Sequence, residues 1–135
     1  TLASNVVCES CEEGVTWQDE INALECTPIT VCDRGTFTSL NATLTSDTDC
    51  TACSIETFQA LAGQRTCIPT QHCEPGTFIA AEPTASSDRQ CKACAPDNTF
   101  QPDVDASECL NLLVCEPGTF VTVAATLSSN RNCGS

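Results

Sequence analysis

Residues 32–53 read CDRGTFTSLNATLTSDTDCTAC, and the chain writes this stretch again at 73–94 and, in its first part, at 115–133. Its cysteines belong to a grid. Cys8, Cys50, Cys91 and Cys133 lie 42, 41 and 42 residues apart. Between them one order recurs three times: C-x2-C, a gap of 13 or 14, C-x5-C, a gap of 17. The copies are Cys8, Cys11, Cys26, Cys32; then Cys50, Cys53, Cys67, Cys73; then Cys91, Cys94, Cys109, Cys115; and Cys133 opens a fourth. A fixed period of this length marks a repeat array whose units pack on their neighbours.

Thirteen cysteines in 135 residues, against one Trp, five Phe and no Tyr, describe a small disulfide-rich scaffold. There is little apolar volume to bury, so covalent loop closure has to replace a large core. Closing a loop of 15–20 residues contributes about 3 kcal/mol through the unfolded state. Stable disulfides imply an oxidising compartment, so the expected location is extracellular or at the cell surface. Zinc is the rival use of such cysteines. A single histidine, His72, and the long regular gaps oppose it, and no metal or other cofactor is expected.

Five basic residues against eighteen acidic ones give a net charge of −13. That excludes nucleic acid, which demands clustered Lys and Arg, and an anionic membrane surface. The charge reads as a solvating surface, with weak divalent-cation binding as the alternative. No stretch is long and apolar enough to insert in a membrane. Thr1-Leu2-Ala3-Ser4-Asn5 has neither the basic nor the apolar part of a signal peptide, so the expectation is a mature chain or a piece of a longer one.

Each repeat divides into a short and a long module. The long ones open with C-x-x-G-T-F at Cys32, Cys73 and Cys115; the short ones carry Thr16-Trp17, Thr57-Phe58 and Thr99-Phe100 after Cys11, Cys53 and Cys94. Every aromatic residue (Trp17, Phe37, Phe58, Phe78, Phe100, Phe120) follows a threonine, five or six positions after a cysteine. We expect each to pack on its own disulfide as a miniature core. The expected modules are 11–26, 32–50, 53–67, 73–91, 94–109 and 115–133, with 1–8 as the closing part of a truncated module. Thr1 to Cys8 has the form of the closing tails at 43–50, 84–91 and 126–133. Cys8 is therefore expected to pair with an upstream cysteine outside the chain, with intermolecular pairing as the alternative.

Connectivity does not follow from sequence. The internal repetition favours Cys11–Cys26, Cys32–Cys50, Cys53–Cys67, Cys73–Cys91, Cys94–Cys109 and Cys115–Cys133; interleaved pairing within each four-cysteine repeat is the alternative. The expected secondary structure is short β-strands and turns. A turn at each Gly-Thr-Phe leads into a strand, a second turn at Ser-Asp or Ser-Asn precedes the closing strand, and residues 56–63 hold at most one helical turn. Neighbours touching only neighbours make an elongated rod. Leu40, Ile79, Val121, Val123 and Leu127 recur in the long loops, either as internal packing or as a sticky stripe.

Catalytic chemistry finds no foothold. His72 stands alone where the sister positions hold Val31 and Val114, which reads as a half-exposed spacer. The C-x2-C pairs sit at every repeat boundary without the strand–helix pattern of a redox site. Residues 97–108 hold acids at the wrong spacing for a calcium loop. The chain is not expected to be an enzyme. Asn41-Ala42-Thr43 is a glycosylation sequon in a long loop, and the Ser- and Thr-rich tails are weaker candidates for O-linked sugar.

The run C-x-x-G-T-F, then Thr and Ser-Asp residues, then C-x-x-C, resembles the cysteine-rich repeats of the tumour-necrosis-factor/nerve-growth-factor receptor family. Residues 32–53 carry the likeness best, then 73–94 and 115–133. The resemblance implies pairing of Cys32 with Cys50, Cys73 with Cys91 and Cys115 with Cys133. Receptor repeats typically hold six cysteines, the last four interleaved, whereas this chain has four per period. In that respect it is more similar to cysteine-rich arrays of large extracellular proteins of algae and protists, which also match ephrin-receptor-like descriptions. The implied function is structural: an extended repeat segment of a larger secreted or surface glycoprotein, such as a filament, matrix or spacer. Its partners would be other segments or copies of the same protein. The alternatives are the stalk or ligand-binding region of a cell-surface receptor, with a protein ligand, and an adhesion or carbohydrate-binding module, with a glycan.

Overall fold

A computed structural model describes residues 7–135. Each cysteine loop is a two-stranded antiparallel hairpin. β1 (Thr16–Trp17) pairs with β2 (Thr27–Pro28), β3 (Thr36–Leu40) with β4 (Asp49–Ala52), and β5 (Thr57–Phe58) with β6 (Ile68–Pro69). β7 (Thr77–Ala81) pairs with β8 (Gln90–Ala93), β9 (Thr99–Phe100) with β10 (Leu110–Asn111), and β11 (Phe120–Val123) with β12 (Asn132–Gly134). An isolated hairpin is marginal in water. Here each is closed by one disulfide: Cys11–Cys26, Cys32–Cys50, Cys53–Cys67, Cys73–Cys91, Cys94–Cys109 and Cys115–Cys133. Of the truncated module read over 1–8, the first six residues lie outside the described residues, and Cys8 is exposed with a free thiol.

Threonine recurs before each aromatic because its hydroxyl helps close the turn. Thr36, Thr57, Thr77 and Thr119 donate Oγ1 to the carbonyl three residues back, at 2.6–2.8 Å, and Thr99 to the one four back. Gly35, Gly76 and Gly118, each just before one of these threonines, have φ between +82° and +89°, a region where a side chain is strained. All three long hairpins then kink at one repeat position, between Thr38 and Leu40, Ile79 and Ala81, and Val121 and Val123. In the loops beyond, the Thr43, Thr84 and Thr126 amides donate to Ser46, Ser87 and Ser129 carbonyls at 2.9–3.0 Å, making three equivalent tight turns.

Residues 56–63 are not helical. β5 occupies Thr57–Phe58, Glu56 sits at φ +64°, and no helix occurs among the described residues. A loop pinned by Cys53–Cys67 must return on itself within 14 positions, which leaves room for a hairpin and no more.

The exposed area, 9654 Å², exceeds by about 40% the roughly 6,800 Å² of a globular protein of this mass. Six fully exposed residues would account for under about 900 Å² of that. The molecule is an elongated string of modules. Its most buried side chains are Cys32, Cys73 and Cys94, with Gln59, Thr70, Arg89 and Gln101 beside them. The aromatic residues are half-buried, except Phe120 at 59% exposure. A module of 15–20 residues cannot enclose a ring presenting about 150–250 Å², so the rings stay partly in water. Of the long-loop apolar residues, Ile79 is half-buried while Leu40, Val121, Val123 and Leu127 are exposed.

Candidate functional site at the module junctions

The long modules 32–50 and 73–91 each meet the following short module through four backbone hydrogen bonds, one of them at the link, where Cys53 N–H donates to Gly35 C=O and Cys94 N–H to Gly76 C=O (both 2.9 Å). Between 32–50 and 53–67, Gly35 N–H donates to Gln59 C=O (2.8 Å), Thr38 N–H to Gln64 C=O (2.8 Å), and Gly63 N–H to Cys32 C=O (2.7 Å). One repeat on, Gly76 donates to Gln101 (2.7 Å), Ile79 to Ala106 (2.8 Å), and Asp105 to Cys73 (2.8 Å). The tight turn of the next long module caps each junction. Ala85 C=O accepts from Gln59 N–H and its Cβ lies 3.2 Å from where a Gly35 Cβ would stand; Leu127 does the same at Gln101 and Gly76, at 3.1 Å. Glycine is required here by close approach as well as by φ.

The glutamine after each short-module aromatic holds its hairpin loop. Gln59 Nε2 donates to Thr66 C=O (2.8 Å) and Oε1 accepts from Leu61 N–H (3.0 Å). Gln101 bonds Glu108 C=O and Asp103 N–H, and Gln18 bonds Glu25 C=O and Glu20 N–H, in the same way. Sequence reasoning missed these residues, although Thr-aromatic-Gln recurs at 16–18, 57–59 and 99–101. It also missed the acid of the closing tail. Asp47, Asp88 and Asn130 each accept the backbone N–H of the residue 17 positions earlier, Thr30, Gln71 and Leu113, and so tie the link after each short module to the tail of the long module that follows. At Asp47 the Thr30 hydroxyl adds a second bond, and these bonds lower the Asp47 pKa.

His72 is exposed, as a spacer would be, but it is not unpartnered. Its Nδ1 lies 2.6 Å from Asp105 Oδ2, while Asp105 Oδ1 accepts from Cys73 N–H (2.7 Å) and Arg89 Nη1 (3.0 Å). Arg89 is 7% exposed and also donates to Gln71 C=O (2.9 Å). The sister of Asp105 is Gly63, at φ +71°; Asp105 holds φ +56° without glycine's freedom, in return for an ionic brace across the junction. The hydrogen bond to Asp105, then its charge, raises the His72 pKa. The Cys73 amide, then His72, lowers that of Asp105.

Those directions set a pH window. A raised His72 pKa means its contribution is complete below the ordinary histidine value and lost as pH rises through the raised one. A lowered Asp105 pKa means its contribution is complete above the ordinary carboxylate range and lost as pH falls through the lowered one. The brace is strongest in the mildly acidic interval between, with Arg89 opposing and Glu56 favouring the His72 cation. An NMR titration of the His72 ring is expected to give a midpoint above about 6.5. In Asp105→Asn the midpoint should fall back towards that value; an unchanged midpoint would mean the pair does not exist in solution.

Asn41 is exposed just beyond β3, where the chain leaves the sheet. Among the described residues no group of three or more His, Cys, Asp or Glu side chains is placed to hold a metal ion. No helix among them is long and apolar enough to cross a membrane.

Residues 11–50 match the TNFR/NGFR cysteine-rich region, which is 40 of the 135 residues. The span holds one short and one long module, with Cys11–Cys26 and Cys32–Cys50, and the repeat is TNFR-like. No curated protein matches the chain in sequence. Among solved structures, a chain of the human RANKL/OPG complex aligns at 20% identity and a TM-score of 0.45, over 89% of this chain and 71% of that one. A chain of the mouse RANKL-OPG complex gives 20% and 0.47, over 89% and 85%.

Proposed function

We propose that the chain is a structural segment: an extended extracellular repeat from a larger secreted or surface protein, serving as filament, matrix or spacer. The carrying observation is the recurrence of one junction. The same four backbone bonds, glycine contact and capping turn join 32–50 to 53–67 and 73–91 to 94–109, so both junctions have the same geometry. A motion repeated along a chain builds a rod, and a rod sets distance between its ends. The modules 11–26 to 115–133 are its building blocks, and the aromatic rings and cystines are its core. Cys8 pairs with a half-cystine upstream, Asn41 carries a glycan, and the segment catalyses nothing.

A ligand-binding stretch of a receptor is the second reading. It is favoured by the large apolar side chains left in water, among them Ile21, Leu24, Val31, Ile55 and Val114. Isolated exposed apolar residues are ordinary, but this many on a thin rod offer contact area.

Non-reducing peptide mapping of material from the natural source separates the two. A Cys8 peptide bridged to upstream sequence, inside a large glycosylated chain with many more repeats, is the expected result. A downstream transmembrane and signalling region in that same protein would overturn the structural role and establish the receptor reading.

A further inference from the structure

The short module 53–67 and the tail of 73–91 face each other across an open cavity of about 410 Å³, within the size range of small-molecule sites. Ser54, Ile55 and Glu56 line it from the short module, and Glu82, Pro83 and Arg89 from the tail. The bond from Gln59 N–H to Ala85 C=O, at 2.9 Å, holds the two sides together. The cavity lies inside the array, with a full short and long module of the same chain before it and after it.

The hydroxyls around the cavity are already engaged. Thr57 donates Oγ1 to Ser54 C=O at 2.8 Å, and Thr84 Oγ1 pairs with Ser87 Oγ at 2.6 Å. What remains is two carboxylates and a guanidinium. Glu56 and Glu82 are exposed and take part in neither ion pair of the described residues. The Arg89 side chain is 9% exposed; Nη1 serves Gln71 C=O and Asp105, while Nε is buried without an acceptor. A buried donor left unmatched calls for an explanation. Glu56 also holds φ +64°, where the sister positions carry Gly14 and Asp97. Short Asn and Asp side chains tolerate that region; glutamate has no such help, so its carboxylate is kept at a backbone cost. The combination occurs once, for the sisters of Glu82 are Asn41 and Ala124, and those of Arg89 are Thr48 and Arg131.

We propose that this cavity binds a neutral carbohydrate of one or two sugar units. An anion is repelled by Glu56 and Glu82, and the Arg89 charge is already matched by Asp105 at 3.0 Å. A cation suits the carboxylates and leaves the guanidinium donor unmet. A sugar hydroxyl does both, donating to a carboxylate and accepting from a guanidinium in charge-assisted bonds. The C–H faces of the ring then lie on Ile55, which is 94% exposed, and on Pro83. The site is independent of whether the rod is a spacer or part of a receptor.

Amide and Arg89 Nε–H NMR on the Asn41→Gln chain, which carries no N-glycan of its own, tests this with maltose, lactose and di-N-acetylchitobiose. At least one is expected to give saturable shifts at 54–57 and 82–89, with Kd on the order of 1–10 mM. Salt should leave that affinity unchanged, since a neutral ligand is not screened. Glu56→Gly and Glu82→Ala each install the residue that a sister position already carries, so the fold is kept. Each should weaken binding by at least about fivefold through loss of a charge-assisted bond. No shift with any of the three sugars at roughly 50 mM would overturn the proposal. So would shifts that both variants leave intact, which would put the sugar elsewhere. Saturation by lysine amide or acetate in place of the sugars would make this a charge site and overturn it as well.

Discussion

Replacing Cys73 and Cys91 together by serine is expected to melt the middle of the chain and leave its first module folded. The bridge closes an 18-residue separation, and its loss releases about 3 kcal/mol of loop-closure entropy to the unfolded state. Cys73 is fully buried, so the exchange also places a hydroxyl where sulfur packs, at about 1–3 kcal/mol more if it finds no partner. Against the few kcal/mol that a small domain holds in total, that is decisive for the hairpin of β7 and β8. The damage then travels by known routes. Gly76 and Ile79 lose their hold on Gln101 and Ala106, Asp105 loses the Cys73 carbonyl, and the Ala85 turn leaves Gln59 uncapped. Nothing in residues 11–26 bonds to 73–91 among the described residues. Native-state hydrogen exchange reads this directly: amides of 73–109 should lose protection while those of 11–26 keep theirs. Equal loss of protection everywhere would show that the modules fold as one unit, contrary to nearest-neighbour coupling.

The cysteine grid made the architecture legible. Regular spacing implied loops of fixed length, and Gly-Thr-Phe implied a turn entering a strand; the structure adds that Gly35, Gly76 and Gly118 make it at positive φ. The junctions were far less legible. Most of their bonds come from backbone groups, which every residue carries, so no residue type advertises them. Residues 35 and 59 meet because two hairpins stack, and stacking depends on how the short links at 51–52 and 92–93 turn. The His72 brace was hidden for another reason. Histidine, Asp105 and Arg89 lie 16 to 33 positions apart, and each replaces a neutral residue in at least one sister repeat, so repetition masked what the exceptions share. A repeat read for its consensus hides chemistry that occurs once.

Gln101→Leu should cost about 2–4 kcal/mol, because it removes two bonds from a side chain that is 4% exposed. Leucine fills nearly the same volume, so the loss is not a cavity effect. It strands the Glu108 carbonyl and the Asp103 amide, which Gln101 bonds at 2.7 and 2.9 Å beneath the Leu127 turn. The chain supplies its own control. Gln18 makes the same two bonds, to Glu25 C=O at 2.9 Å and Glu20 N–H at 2.8 Å, but its side chain is only half-buried and both bonds are exposed to water. Gln18→Leu should therefore cost under about 1 kcal/mol, since water replaces what the side chain gave. Denaturation of the two variants, followed by exchange at the 94–109 and 11–26 amides, measures the difference. A large difference means that stacking converts an ordinary loop bond into a structural one. Equal costs would mean that each glutamine acts within its own hairpin alone, and that the stacked junctions add little to the rod.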